Sequence, residues 1–324
     1  MVTRRSLLIG ATASAVGSCA YAQTWPARPV RIIVPFPAGG PTDFVIRLLT
    51  TSLAATLGQP VVVENRPGAS GNTGNQVVVD GPADGYTLVH NTVGVQALNP
   101  LMYPGARFHP QKDLVGIATT ATMPNVLVVN PAKLPVKSLR ELIELGRQQP
   151  NKLSCANFGS GTSAHIYGSL LQKVGGFQAT DVPYKGSALA LNDVIAGHVD
   201  FLFDNMTTCL SHVNAGTLKA LAITSSTRSS LLPDVPTMAQ AGLPAFDLKF
   251  WFALFASSRT PAAIVERLQA TVGQAMADPA YAAALRARGA EPLVTPPTEL
   301  AAFLKADSER WANTAKQIGV KPQA

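Results

Sequence analysis

The chain is short of charge. Only 14% of its 324 residues are Asp, Glu, Lys or Arg, against 47% hydrophobic ones. That balance excludes a disordered chain, since so much apolar side chain can offset the entropy of ordering. The net charge of +7 is spread along the sequence with no run of lysines or arginines, which excludes a dedicated nucleic-acid surface. Metal chemistry is missing as well. His90, His109, His165, His198 and His212 form no HExxH or similar pairing, and the cysteines lack ligand spacing. There is no Walker-type phosphate loop and no dinucleotide fingerprint, so no cofactor is expected. No stretch is long and apolar enough to span a membrane.

Residues 1–22 read as an export signal. Arg4 and Arg5 form a basic start, an apolar small-residue run follows from Leu7 to Gly17, and Ala20-Tyr21-Ala22 fits the small-x-small cleavage rule. Cleavage before Gln23 sends the mature chain to the periplasm. Thr3-Arg4-Arg5-Ser6-Leu7-Leu8 resembles a twin-arginine signal, so the route is Sec or twin-arginine. Val16-Gly17-Ser18-Cys19 is a weak lipobox, and lipid anchoring at Cys19 is the less favoured alternative. Losing Arg4 and Arg5 lowers the net charge from +7 to +5. Cys155 and Cys209 remain. An oxidising compartment permits a disulfide between them, and two buried free thiols are the alternative. A mature chain of about 300 residues exceeds one ordinary core and predicts two lobes.

The rest is organised around Val34-Pro35-Phe36-Pro37-Ala38-Gly39-Gly40-Pro41-Thr42-Asp43. A β-branched strand at 30–34 leads in, and an apolar helical pattern runs from Phe44 to a stop at Gly58. Gly39 and Gly40 let backbone approach a ligand closely, and Thr42 or Asp43 is placed to cap the helix. The amides of such a turn, with the helix dipole, make an anion site that needs no lysine or arginine. The device recurs. A strand at 153–157, the turn Phe158-Gly159-Ser160-Gly161-Thr162-Ser163 and a helix at 164–174 repeat it in the second half. Two such units can face one another across a cleft, at the carboxyl ends of strands where open α/β sheets bind ligands. Strand and helix alternate throughout, which predicts an α/β class with mostly parallel sheets and helices on both faces.

Six stretches, in order, resemble the periplasmic solute receptors of the tripartite tricarboxylate transporter class, the Bug receptors. The first is the turn at 34–43. It is followed by Val63-Glu64-Asn65-Arg66-Pro67-Gly68-Ala69-Ser70-Gly71-Asn72 and Asp84-Gly85-Tyr86-Thr87-Leu88. The second half adds Gly159-Ser160-Gly161-Thr162-Ser163-Ala164-His165, Val182-Pro183-Tyr184-Lys185-Gly186 and Pro233-Asp234-Val235-Pro236-Thr237. The resemblance implies a two-lobed type II periplasmic-binding-protein fold, a Venus flytrap. Lobe 1 would be residues 23–123 plus 245–324 and lobe 2 residues 124–244, with the ligand cleft between them.

It further implies a monomeric receptor for a small organic carboxylate: a di- or tricarboxylate, an acidic amino acid or an aromatic acid, with related neutral amides or vitamins as the alternative. A two-subunit membrane permease is the implied partner. By the match, Phe36, Ala38, Gly39, Gly40 and Asp43 form the proximal site, and Gly159, Ser160, Gly161 and Thr162 hold the other end of the ligand. Ser70, Asn91 and Asn205 end neighbouring strands or turns and are expected polar contacts. Asn205 is preferred to Asp204, because a carboxylate would repel an anionic ligand. Two other readings remain. One is a ligand-binding component of a sensory pathway. The other is a serine hydrolase built on Ser160, His165 and Asp204, but Phe158 and Thr162 stand where its Gly-x-Ser-x-Gly elbow needs glycine.

Overall fold

The computed structural model describes residues 25–246 and 248–322. The export signal, Gln23 and Cys19 lie outside the described residues. The first third runs β1 (Val30–Val34), α1 (Pro41–Leu57), β2 (Val61–Asn65), α2 (Asn72–Asp80) and β3 (Thr87–Thr92). A π-helical turn, Gly94–Leu98, leads into α3 (Asn99–Met102), α4 (Pro110–Asp113) and β4 (Leu114–Thr122). The middle holds β5 (Asn125–Val129), α5 (Leu139–Gln148), β6 (Ser154–Asn157), α6 (Ser163–Gly175) and β7 (Thr180–Pro183). It continues through α7 (Ser187–Ala196), β8 (Phe201–Asn205), α8 (Met206–Asn214) and β9 (Lys219–Ile223). The chain closes with β10 (Trp251–Ser257), α9 (Ala262–Met276), α10 (Pro279–Arg286), β11 (Glu291–Pro292) and α11 (Pro297–Gln317).

The strands form two sheets, one per lobe. One has the order β11-β4-β10-β3-β1-β2 and the other β7-β6-β8-β5-β9. Both are mixed, where the alternation of strand and helix predicted mostly parallel ones. β1 runs parallel to β2 and β3, and β6 parallel to β7 and β8. β10 pairs antiparallel with β3 and β4, and β5 antiparallel with β8 and β9. The reason lies in the connections. Parallel neighbours need a helical crossover to bring the chain back. From β4 to β5 the chain instead passes straight from one sheet to the other through Met123 and Pro124.

β1 shows how local sequence serves the fold: four of its five residues are buried Val or Ile, packed with Val45, Ile46 and Leu49 of α1. α1 ends where Gly58, at φ +67°, turns its amide back to Ala54 O. Where the chain returns to the first sheet, aromatic side chains clamp the crossing. The buried Tyr167 ring of α6 stacks on Phe246 and meets Trp311 of α11 edge-on at 5.4 Å. Its hydroxyl donates to Leu248 O at 2.8 Å, and Trp311 Nε1 donates to Lys249 O.

The disulfide that export permits is not formed: Cys155 and Cys209 are both free and buried. They occupy opposite faces of the second sheet. Cys155 on β6 packs with Tyr167 and Phe177, while Cys209 on α8 packs with Ala156, the next residue along β6, whose side chain points the other way. Burial raises both thiol pKa values well above their ordinary range. The folded mature chain is therefore expected to be inert to a thiol reagent and to release two thiols per chain when denatured without reductant. Zero thiols on denaturation would show that the pair is bonded.

Candidate functional site

A strand–turn–helix unit delivers a helix N-terminus to the carboxyl end of its strand. Four of them converge here. Gly40, Thr162, Gly186 and Asn205, the N-cap residues of α1, α6, α7 and α8, all line one cavity of about 160 Å³ between the lobes. None of the four caps its helix with a side chain. Ser138, by contrast, accepts the Glu141 amide at the head of α5. First-turn amides, among them those of Thr42, Ser163 and Ser187, have no intrahelical acceptor. Together with the helix dipoles they favour an anion. The walls are mostly apolar, with Phe36, Phe158, Phe250 and Leu189, and among the described residues the one charged side chain on them is Lys185.

The turns after β1 and β6 are built alike. Gly39 has φ +78° and Gly161 φ +79°. The Gly39 amide donates to Asp43 Oδ2 at 3.0 Å, and the Gly161 amide to His165 Nδ1 at 3.2 Å, each acceptor four residues on. One device thus uses a carboxylate in the first lobe and an imidazole in the second. These amides are consumed inside their own turns. Gly39, Asp43 and Gly161, expected at the ligand, do not line the cavity and shape it from behind.

Asp43 also accepts from Arg47 Nε at 2.8 Å and Asn65 Nδ2 at 3.0 Å. Burial pushes its carboxyl pKa up, but the bonds from Arg47, Gly39 and Asn65 outweigh that and hold it below the usual range. Asn65 donates as well to Phe36 O, which fixes the start of the turn. Because His165 Nδ1 accepts the Gly161 amide, its ring hydrogen sits on Nε2. Burial lowers the pKa of this ring, with Asp181 opposing.

His90 braces α1 from below. It donates from Nδ1 to Thr42 O at 3.0 Å and accepts from Thr120 Oγ1 at 2.9 Å, and burial pushes its pKa down to about 3.

The remaining sequence-derived candidates divide. Phe36, Ala38, Gly40, Thr162 and Asn205 line the inner cavity. Ser70, Gly159 and Ser160 line an outer chamber of about 960 Å³, which shares Phe36, Phe158 and Lys185 with the inner one. Ser70 Oγ lies 2.9 Å from the Tyr103 hydroxyl there. Asn91 reaches neither space. It pairs with Ala253 inside the first sheet, and its fully buried amide exchanges bonds of 3.0 and 2.6 Å with Asn75. A strand-end asparagine was expected to point at the cleft, but one turned toward α2 finds its partner in the core instead.

Ser163, Ser187 and Phe250 line the cavity and were not singled out from sequence. The signal for Ser187 was present: Gly186-Ser187 repeats the pattern of a glycine and a polar residue at a strand-to-helix turn. Asp204 sits behind it, fully buried, accepting from Ser187 Oγ at 2.7 Å and Thr208 Oγ1 at 2.6 Å. Burial pushes its pKa up to about 6, against the pull of those two hydroxyls and the Asn205 amide.

The hydrolase arrangement does not assemble. Asp204 is engaged by Ser187 and Thr208, and His165 by the Gly161 amide, so neither orients the other. Among the described residues, no three His, Cys, Asp or Glu side chains gather to hold a metal, and no helix is long and apolar enough to cross a membrane.

Comparison with known proteins places this architecture. The model of the tripartite tricarboxylate transporter family receptor matches residues 45–320. BugT of Bordetella pertussis is 38% identical over 323 residues, covering 99% of each chain. An R. palustris protein solved with adipate superposes with a TM-score of 0.87 at 36% identity, over 92% of this chain and 100% of its own. MatC from Rhodopseudomonas palustris, solved with bound malate, gives 0.82 at 33%, over 89% and 99%. The chain belongs to the tripartite tricarboxylate transporter receptor family, whose members are solute-binding receptors and not enzymes.

Proposed function

We propose that the two lobes, residues 23–123 plus 245–324 and residues 124–244, close on a small organic carboxylate, and that the exported, monomeric receptor hands it to a two-subunit membrane permease. The observation that carries this reading is the meeting of four uncapped helix N-termini at one cavity. The first-turn amides of α1, α6 and α7 supply charge-assisted bonds to the carboxylate. The rings of Phe36, Phe158 and Phe250 keep water out and strengthen those bonds. Adipate and malate in the two similar solved proteins support the same ligand class. The outer chamber gives room for ligands of differing length.

A thermal-shift screen of the mature protein against carboxylic acids and their primary amides tests this. A ligand that binds only the folded state raises the midpoint by mass action, about 2.7 kcal/mol of stabilisation at a hundredfold excess over Kd. At least one acid is expected to shift the midpoint and its amide to leave it unmoved. Equal shifts from acid and amide would refute the carboxylate reading. So would a flat screen together with mass spectra of the denatured protein that show no co-purified acid.

A further inference from the structure

We infer that the ligand is a monocarboxylate on an apolar body with a hydroxyl close to its carboxyl group, and that Ser187 and Thr162 read that hydroxyl, an assignment that rests on the carboxylate reading above. The fate of the cavity's hydroxyl hydrogens leads there. A carboxylate or carbonyl only accepts, so a hydroxyl bonded to one has committed its single hydrogen. Ser187 Oγ donates to Asp204 Oδ1 at 2.7 Å, and Thr162 Oγ1 donates to Gly159 O at 2.7 Å. Both hydroxyls line the cavity, and what they have left to offer a ligand is lone pairs. Asn205 stands on the same wall, but its Oδ1 is buried out of the cavity's reach and adds no acceptor there.

The second-lobe wall therefore offers acceptors from side chains beside donors from helix ends. Ser187 supplies both kinds, since its amide opens α7 and has no intrahelical acceptor. Acceptor and donor within one residue require that the ligand's donor lie within a few bonds of its carboxylate. A hydroxyl fits better than an ammonium group, because the positive ends of four helices and Lys185 already face the space. Among the described residues Lys185 is the one cation on the wall, so a second or third carboxylate has little to meet, whereas Phe36, Phe158, Phe250 and Leu189 suit an apolar body.

Calorimetric titration of the mature protein at pH 8 with paired acids tests this: mandelate against phenylacetate, 2-hydroxybutyrate against butyrate, and malate against succinate. The hydroxy member of each monocarboxylate pair is expected to bind about tenfold more tightly, the worth of one matched hydrogen bond. The tighter of these monocarboxylates is expected to bind better than malate. Asp204→Asn, whose amide nitrogen can donate to Ser187 Oγ and free the serine hydrogen, should shrink the hydroxy-to-deoxy ratio toward one. Ser187→Ala should do the same by removing the acceptor. Acids that bind without regard to the hydroxyl, or a ratio untouched in both variants, overturn this inference and leave the carboxylate reading standing. Failure of every acid to bind a protein whose denatured mass spectra show no co-purified acid overturns both.

Discussion

Gly94→Ala weakens ligand binding by about 10- to 100-fold and leaves the free protein at least as stable as before. Gly94 opens the π-helical turn after β3, and its φ lies outside the left-handed region, so alanine suits the backbone. Exchanging glycine for alanine inside a helix is itself worth roughly 0.5–1 kcal/mol. The obstacle is the other lobe. A Cβ at Gly94 would stand 2.9 Å from Gly161 O, a backbone atom of the second-lobe turn that cannot swing aside as a side chain would. A Cβ at Gly161 would in turn stand 3.0 Å from Met102 Cγ and 3.3 Å from Asn99 Oδ1 of the first lobe, so the turn has little room to retreat. Overpacking of this kind costs about 1–3 kcal/mol, which is roughly 10- to 100-fold in Kd. The cost falls on the closed form alone, since separated lobes do not bring the two atoms together. Titration with the tightest acid found, beside thermal unfolding of the ligand-free variant, checks this. Unchanged affinity would mean that closure does not bring Gly94 against Gly161. An equal loss of stability in the free protein would mean that the lobes never part.

Asp204→Asn becomes progressively more favourable relative to the native chain as pH rises, by about 2 kcal/mol between pH 4 and pH 7 in the ligand-free state. The folded pKa of Asp204 is about 6 against an ordinary 3.8. Between those values the folded chain binds more protons than the unfolded one, so native stability falls as pH rises through the window. Above pH 6 the full penalty of a buried carboxylate is present, and below 3.8 it is absent. Asparagine keeps the shape and can still bond Ser187 and Thr208 but does not ionise. Denaturant unfolding of both chains across this range reads the difference. A pH-independent difference would show that Asp204 titrates alike folded and unfolded, and that its hydroxyl partners fully offset its burial.

Much of the site was legible because the signals were local. The strand at 30–34 and the glycine turns stand where the sequence put them, and the helix expected at 164–174 spans Ser163–Gly175. Glycine beside polar residues at the head of a periodic helix is a one-dimensional pattern, and it marks where an N-terminus opens. What that pattern does not contain is the destination of each hydrogen bond. Gly39 and Asp43 resemble a ligand-facing amide and a cap, yet they bond each other. Whether Asn91 faces the cleft or Asn75 depends on how α2 packs over the first sheet, a contact across 16 residues. Strand direction was lost for a related reason: β4 runs on into β5 without the helix that would have restored parallel pairing. Phe250 lines the cavity only because the chain returns from the second sheet to the first, and no local spacing records that return.

A crystal structure of the mature protein with the acid that gives the largest thermal shift tests the central claim most directly. The account predicts closed lobes with the carboxylate carbon in the inner cavity and its oxygens within hydrogen-bond reach of the Thr42, Ser163 and Ser187 amides, directly or through one water. A carboxylate held by Lys185 in the outer chamber, with the four helix N-termini facing only solvent, would contradict it.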